Sequence, residues 1–324
     1  MQSIIFGPVP SRRLGKSIGV NNIPHKVCSY SCAYCQVGKA ETMQVERREF
    51  YLPEVIARQL ESKLSGLAKS DLPDYITIVP DGEPSLDIHL GELIVKLKSY
   101  GFPVAVITNS SLIDRRDVQA ELMLADYVSI KVDTVNQVLW KKVNKPHKDL
   151  NLSSILQGLH DFSQNFKGTL VTESMLLKDV NDSEKELEAL AQSLHELNPE
   201  IAYIAIPTRP PAFEGTYPAD ETAVTLAYDI FTRYNLNAEL LTGYEGNAFA
   251  SSGNFTDDIL SITAVHPMRK DAVMQLLNKS NSPMEILNQL VDNGLIKIVR
   301  FNNQDYYLRK FSMKQHINDK IIPE

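Results

Sequence analysis

Every cysteine of this 324-residue chain lies within one eight-residue stretch, Cys28-Ser-Tyr-Ser-Cys32-Ala-Tyr-Cys35. Thiols used nowhere else in a chain, and spaced four and three residues apart, read as metal ligands. The loop that carries them must make three sulfurs converge, and the rest of the fold has to accommodate that loop. Three thiolates can hold three irons of a four-iron cluster and leave the fourth iron open to a small molecule. Zinc is the competing occupant. A structural zinc takes four protein ligands, and His25, three residues ahead of Cys28, is the candidate fourth. Zinc modules pair C-x2-C knuckles, however, and one pair here is C-x3-C. A disulfide would leave one thiol over. Met1–Pro10 shows no basic segment followed by an apolar core, so no signal peptide is expected and a reducing cytoplasm is the expected compartment.

No run approaches the ~18 apolar residues that span a bilayer, so no membrane partner is expected. The formal net charge is −7, unevenly spread. Residues 266–324 carry nine Lys/Arg against six Asp/Glu, or +3, leaving −10 on residues 1–265. Nonspecific nucleic-acid binding by the bulk of the chain is thereby disfavoured, with room left for a local basic patch around Arg12 and Arg13.

Short β-branched runs recur at Tyr75–Val79, Pro103–Ile107, Tyr127–Lys131, 168–176, Ala202–Ile206 and Ala238–Leu241. Near-continuous apolar runs of this length read as strands buried on both faces. Between them, amphipathic patterns predict helices over 53–67, 90–97, 152–162, 183–197 and 221–234, with Ser183 and Glu186 spaced as a capping box. Strand–helix alternation implies a mainly parallel sheet, open or barrel-like. No G-x-G-x-x-G follows an early strand, which disfavours a dinucleotide-binding domain.

The pattern changes after about residue 255. A helix is predicted over 268–278, a second from the Ser282-Pro-Met-Glu285 start to near Gly294, then a hairpin of 295–301 and 305–311 around Asn302-Asn303-Gln304. The reading is a core domain over 1–250 and a small α+β module over 256–324, a reduced winged helix one helix short of a full helix-turn-helix. Docking or gripping a substrate is its expected role.

The C-x3-C-x2-C spacing, with Tyr34 just before the last cysteine, resembles the signature of the radical S-adenosylmethionine (SAM) superfamily. The resemblance covers roughly residues 5–245 and implies a partial (β/α)6, TIM-like barrel. It implies a [4Fe-4S] cluster on Cys28, Cys32 and Cys35, with SAM bound at the open iron. Reductive cleavage would give a 5′-deoxyadenosyl radical that abstracts hydrogen from a substrate, the electron coming from a donor such as flavodoxin or ferredoxin. Asp81-Gly82-Glu83-Pro84 after the first long strand is similar to the family's G-G-E-P loop at the SAM amino group, with Asp81 in place of the first glycine. Thr108-Asn109-Ser110 is similar to its ribose-side segment. Lys131 and Asp133 at the next strand end, and Glu173 on the strand after, are the further candidates for SAM or substrate; strand phase decides where Glu173 points. Each of these segments, taken alone, is also an ordinary turn or ion pair.

Phe6-Gly-Pro-Val-Pro-Ser-Arg-Arg-Leu-Gly15, Ala125–Lys131 and Lys145-Pro-His147 are similar to radical SAM Fe–S oxidoreductases related to wybutosine-biosynthesis enzymes. Characterised relatives build a tricyclic base on tRNA and hold a second cluster on additional cysteines. This chain has none to spare, which argues against the tricycle-forming step. Arg12, Arg13 and Arg209 are the candidate substrate-binding residues, suited to a carboxylate or phosphate; Arg12 and Arg13 serve equally well as structural residues at the barrel edge. His147 reads as a solvated loop residue. The substrate is left open, with tRNA, peptide or protein as macromolecular candidates. An iron–sulfur redox sensor or nucleic-acid-binding regulator that never cleaves SAM is the alternative from another class.

Overall fold

The computed structural model describes residues 4–243, 249, 251, 253–301 and 303–310. The chain opens with β1 (Ile5–Ser11) and β2 (Gly15–Val20), an antiparallel pair turning at Arg12–Leu14. The cysteine loop follows, bracketed by the two-residue strands β3 (Val27–Cys28) and β4 (Thr42–Met43). Then strands and helices alternate: α1 (Pro53–Ser65), β5 (Tyr75–Ile78), α2 (Leu90–Lys98), β6 (Val104–Thr108), α3 (Arg116–Leu122), β7 (Tyr127–Lys131), α4 (Gln137–Val143), α5 (Leu152–Asn165), β8 (Thr169–Met175), α6 (Glu184–Leu197), β9 (Ile201–Ala205), α7 (Glu221–Arg233) and β10 (Ala238–Leu241).

One eight-stranded sheet runs β1-β2-β5-β6-β7-β8-β9-β10, parallel from β2 onward. Neighbours in space are neighbours in sequence, the order of a barrel wall. Leu14 at one end of the sheet and Leu241 on β10 at the other share a buried cluster with Tyr127, Val171 and Tyr203, so the sheet curls until its ends approach. The helices cover the outside, where Leu93, Val118, Leu159, Leu190 and Ile230 join the main core against Ile76, Val104 and Val128. Burial on both faces is why these strands read as continuous apolar runs.

All six strands expected from those runs are present. β1 and β2 were not expected as strands, because Gly7, Pro8, Pro10, Gly15 and Gly19 break up any β-branched pattern. Here Gly19 is needed for packing: a Cβ would fall 1.9 Å from Phe6 Cζ. The capping box at α6 does not form. Ser183 makes no side-chain cap bond, and Glu186 instead accepts from Asn136 Nδ2 at 3.1 Å.

Beyond β10 come α8 (Phe255–Val265), β11 (Met268–Arg269), α9 (Lys270–Lys279), α10 (Met284–Asp292), β12 (Ile296–Phe301) and β13 (Gln304–Arg309). The expected helix over 268–278 therefore begins only at Lys270. The expected hairpin forms, with Phe301 paired to Gln304; its predicted end at Phe311 lies outside the described residues. The sequence reading missed α8, which is capped by Asn254 accepting from Asp257 N at 3.2 Å. With α8 in place the order is helix, strand, two helices, hairpin: the small α+β, winged-helix-like module expected, with one helix more than the sequence pattern indicated. Its core (Phe255, Ile259, Ile262, Leu276, Leu290) is continuous with Phe6 and Val9 of β1. The module thus covers the sheet's antiparallel edge strand. Among the described residues no helix is long and apolar enough to cross a membrane.

Candidate active site

The parallel strands all end on one rim, where ligands collect in barrels of this kind. A cavity of about 320 Å³ opens there, lined by all three cysteines and by residues from β1, β2 and the end of every parallel strand from β5 to β10.

The cysteine loop is fastened by the segment that follows α4. Ser31 N donates to the Asn144 and Lys145 carbonyls at 3.1 Å, Ala33 N to Val143 O at 2.7 Å, and His147 N to Ser29 O at 2.9 Å. Each sulfur then receives one N–H: Lys26 Nζ to Cys35 Sγ at 3.4 Å, Asn109 Nδ2 to Cys28 Sγ at 3.4 Å, and Asn144 Nδ2 to Cys32 Sγ at 3.6 Å. Burial, with Glu83 adding to it, pushes the Cys28 thiol up to about 12. Burial and then Asp133 push Cys32 up as well. Thiols this desolvated become thiolates when a cation replaces their protons. Three free thiols, each with a sulfur-directed donor, fit a cluster anchored at three irons. His25 Nδ1 is bonded to the Asp81 carboxylate, and its Nε2 lies 3.9 Å from Glu41.

The Asp81-Gly82-Glu83-Pro84 loop divides. Asp81 and Gly82 line the cavity; Glu83 and Pro84 do not. Gly82 is required by close approach, since a Cβ would stand 2.0 Å from Val27 O. Asp81 accepts from Asn21 Nδ2 at 3.0 Å and from His25, which gives its side chain a place in the wall. The side chain of Glu83, on the loop expected to meet SAM through its backbone carbonyls, is buried behind the rim. It accepts from Ser85 N at 3.0 Å, Ser85 Oγ at 2.6 Å, Thr108 Oγ1 at 2.6 Å and Asn109 N at 2.7 Å. Those bonds tie the end of β5 to the end of β6 and hold Asn109 toward Cys28. Burial still raises the Glu83 carboxyl. Ser110 is also turned away from the cavity; its Oγ accepts from Lys131 N at 3.1 Å.

At the end of β7 the two expected residues part company. The β7–β8 register sets Lys131 opposite Glu173. Both line the cavity, and Glu173 is held by Lys131 Nζ on one oxygen and Arg13 Nη1 on the other. Burial opposes ionisation of Glu173, but Lys131 and Arg13 outweigh it and hold the carboxyl down at about 2. Lys131 Nζ also lies 5.3 Å from the Tyr34 ring centroid. Asp133, expected at the substrate, points behind the wall instead. It accepts from Tyr34 Oη at 2.5 Å, Asn144 Nδ2 at 2.6 Å and Met175 N at 2.8 Å. β7 ends at Lys131, so the two-residue alternation that would have put Asp133 beside it no longer applies.

Arg12, Arg13 and Arg209 all line the cavity. Arg209, in the loop after β9, donates to Gln36 Oε1 and to the His266 ring, 3.0 Å from Nε2. His266 ends α8, so the C-terminal module supplies one wall of the site. Tyr306 of β13 reinforces this by donating to Thr208 O at 2.9 Å. Burial, with Arg209 and Arg12 nearby, keeps His266 well below its ordinary value and therefore neutral. Lys26, Asn144, Gln36 and His266 were missed in the sequence. Lys26 and Gln36 flank the motif and were within reach; His266 had no local signal.

The site and the barrel rim define the class. Residues 22–191 match the Radical SAM superfamily, and the chain belongs to it. Over 314 residues it is 43% identical to UPF0026 protein MJ1312 of Methanocaldococcus jannaschii, spanning 96% of this chain and 98% of that one. Among solved structures, a radical SAM methyltransferase from Sphaerobacter thermophilus is similar in fold, with a TM-score of 0.53 and 14% identity over 70% of this chain and 66% of that one. TYW1 with a lysine-pyruvate adduct bound aligns over 92% of this chain and 81% of that one, with a TM-score of 0.44 and 15% identity.

Proposed function

We propose that this chain is a radical SAM enzyme in which Cys28, Cys32 and Cys35 hold a [4Fe-4S] cluster, SAM fills the adjoining part of the cavity, and hydrogen is abstracted from a substrate bearing a carboxylate or phosphate. The observation that carries the reading is convergence: the three cysteines, Asn109 and the Arg13–Glu173–Lys131 triad line one cavity at the strand ends. When bound, the reduced cluster supplies the electron that splits the S–C5′ bond of SAM, giving methionine and the 5′-deoxyadenosyl radical.

The protein's own contribution is positioning and electrostatics. Lys26, Asn109 and Asn144 direct N–H groups at the sulfurs, which stabilises added negative charge there. Glu173 is ionised at neutral pH and offers an acceptor to an ammonium or hydroxyl group. Five basic side chains (Arg12, Arg13, Lys26, Lys131, Arg209) face two acidic ones (Asp81, Glu173) across the lining, which favours an anionic substrate. His266 and the loop it grips close one side against water.

Anaerobic reconstitution tests the reading. We expect close to four irons per chain, an EPR spectrum of the reduced cluster that changes on adding SAM, and slow 5′-deoxyadenosine formation with dithionite. Cys32→Ala should abolish all three. A full, reducible cluster that neither binds nor cleaves SAM would refute the enzyme and favour the sensor.

A further inference from the structure

The reaction proposed above consumes an electron that no residue of the chain provides, so a donor must reach the cysteine loop. Between Asp133 and Asp149 the sequence carries four lysines (Lys141, Lys142, Lys145, Lys148) and no acid, in a chain of net charge −7. This is the same segment whose backbone is bonded to Ser29, Ser31 and Ala33 and whose Asn144 amide meets Cys32 Sγ at 3.6 Å. Lys141, Lys142 and Lys148 are exposed.

A second basic element joins it. Lys39, just past the third cysteine, places its ammonium 4.4 Å from the Phe213 ring centroid, and Lys145 places its own 4.7 Å from the same centroid. Among the described residues neither lysine has a carboxylate within ion-pair distance. Two like charges gathered on one phenyl ring repel, and a helix C-terminus would account only for Lys141 and Lys142. None of these five lysines lines the cavity. Their charge is therefore not directed at the substrate; it is presented beside the backbone of the cysteine loop.

We infer that this face is the docking surface for an acidic one-electron carrier protein. The transfer is a single electron from carrier to cluster. The carrier is oxidised by one electron, and no bond forms or breaks. Asn144 offers a one-side-chain path from the docked face to a cluster sulfur, and the lysines steer an acidic partner to it. The inference rests on the radical SAM reading, and the experiment separates the two.

Cluster reduction is followed by stopped flow with the hydroquinone of a recombinant acidic flavodoxin, and in parallel with dithionite. Wild type should show a flavodoxin rate that falls steeply between low and ~0.1 M salt, where the screening length is ~10 Å. Lys39→Glu/Lys145→Glu should slow flavodoxin-driven reduction at least tenfold and leave dithionite-driven 5′-deoxyadenosine formation unchanged. If that variant loads iron poorly, Lys141→Glu/Lys142→Glu/Lys148→Glu, which leaves the cysteine loop's neighbours intact, should show the same split. An unchanged flavodoxin rate in a fully loaded variant overturns the assignment. So does a variant that loses tRNA retention in a gel shift while keeping the flavodoxin rate, because the face would then bind nucleic acid. Absence of dithionite-driven SAM cleavage in wild type would sink the enzyme reading instead.

Discussion

Replacing Glu173 with Gln keeps the side chain's shape and removes its charge from between Lys131 and Arg13. The carboxyl is held at about 2 against an ordinary 4.5. That difference, at about 1.4 kcal/mol per pKa unit, corresponds to about 3 kcal/mol of stabilisation at neutral pH. The side chain is only 9% exposed, so solvent screening removes little of it. Breaking a buried pair by deleting one partner costs ~3–5 kcal/mol for the same reason: the surviving charges are left uncompensated. With an unfolding entropy of ~2.1 cal/mol/K per residue, a loss of about 3 kcal/mol lowers Tm by about 4 °C.

The sign with pH follows from a depressed carboxyl. Its stabilisation is complete above about 4.5 and is lost as pH falls through about 2. Thermal unfolding by circular dichroism is best done in an iron-free Cys32→Ala background, so that acid lability of a cluster does not intrude. Glu173→Gln should lower Tm at pH 7 and flatten its dependence between pH 4.5 and 3. Glu173→Leu/Lys131→Met should cost less than the sum of the single changes, because it removes a pair and not one member. A Tm within ~1 °C of the parent, with unchanged acid sensitivity, would show that cavity solvent already compensates Arg13 and Lys131, and the reasoning would fail.

Gly82→Ala should prevent cluster loading, since its Cβ would meet Val27 O at 2.0 Å and backbone cannot yield as a flexible side chain can; iron analysis after reconstitution checks this, and full loading would show that the loop moves. Asp133→Ala should orphan Tyr34 Oη, leave Asn144 Nδ2 with only its contact to Cys32 Sγ, and cost ~2–4 kcal/mol, with slower or partial iron uptake measured alongside Tm. Ile262→Ala, in the core shared by α8 and β1, should cost ~2–4 kcal/mol and weaken substrate-independent protection of the cavity wall, read as faster amide exchange in α8 and residues 206–209; unchanged exchange there would mean the module does not brace that loop.

What could be read in the sequence follows the physics of each element. Parallel strands buried on both faces must be apolar along their length, so all six were visible with ends within a residue or two. β1 and β2 escaped because an edge pair rich in Gly and Pro carries no such signature. α3 and α4 have seven residues each, under two and a half turns, too short for helical periodicity to register. α8 has eleven residues and a good Asn cap, yet it was hidden at a presumed domain boundary. Without it the C-terminal module reads one helix shorter than it is.

The site shows a different limit. Motif spacing located the right strand ends, but which way a side chain turns there depends on where the strand stops. Lys131 and Glu173 are still in register within the sheet, so their pairing was implicit in strand phase. Asp133 and Glu83 lie just past their strands, where the chain turns and a carboxylate finds more donors behind the wall than in the cavity. Glu83 collects four hydrogen bonds and Asp133 three. A buried carboxylate needs such a set to offset desolvation, and the residues that supply it come from other loops. These two acids therefore bear on chemistry through what they hold: Glu83 fixes Asn109 against Cys28, and Asp133 fixes Asn144 against Cys32. Substituting either should disturb the cluster's environment before it disturbs substrate binding, the reverse of what a substrate-contacting acid would do.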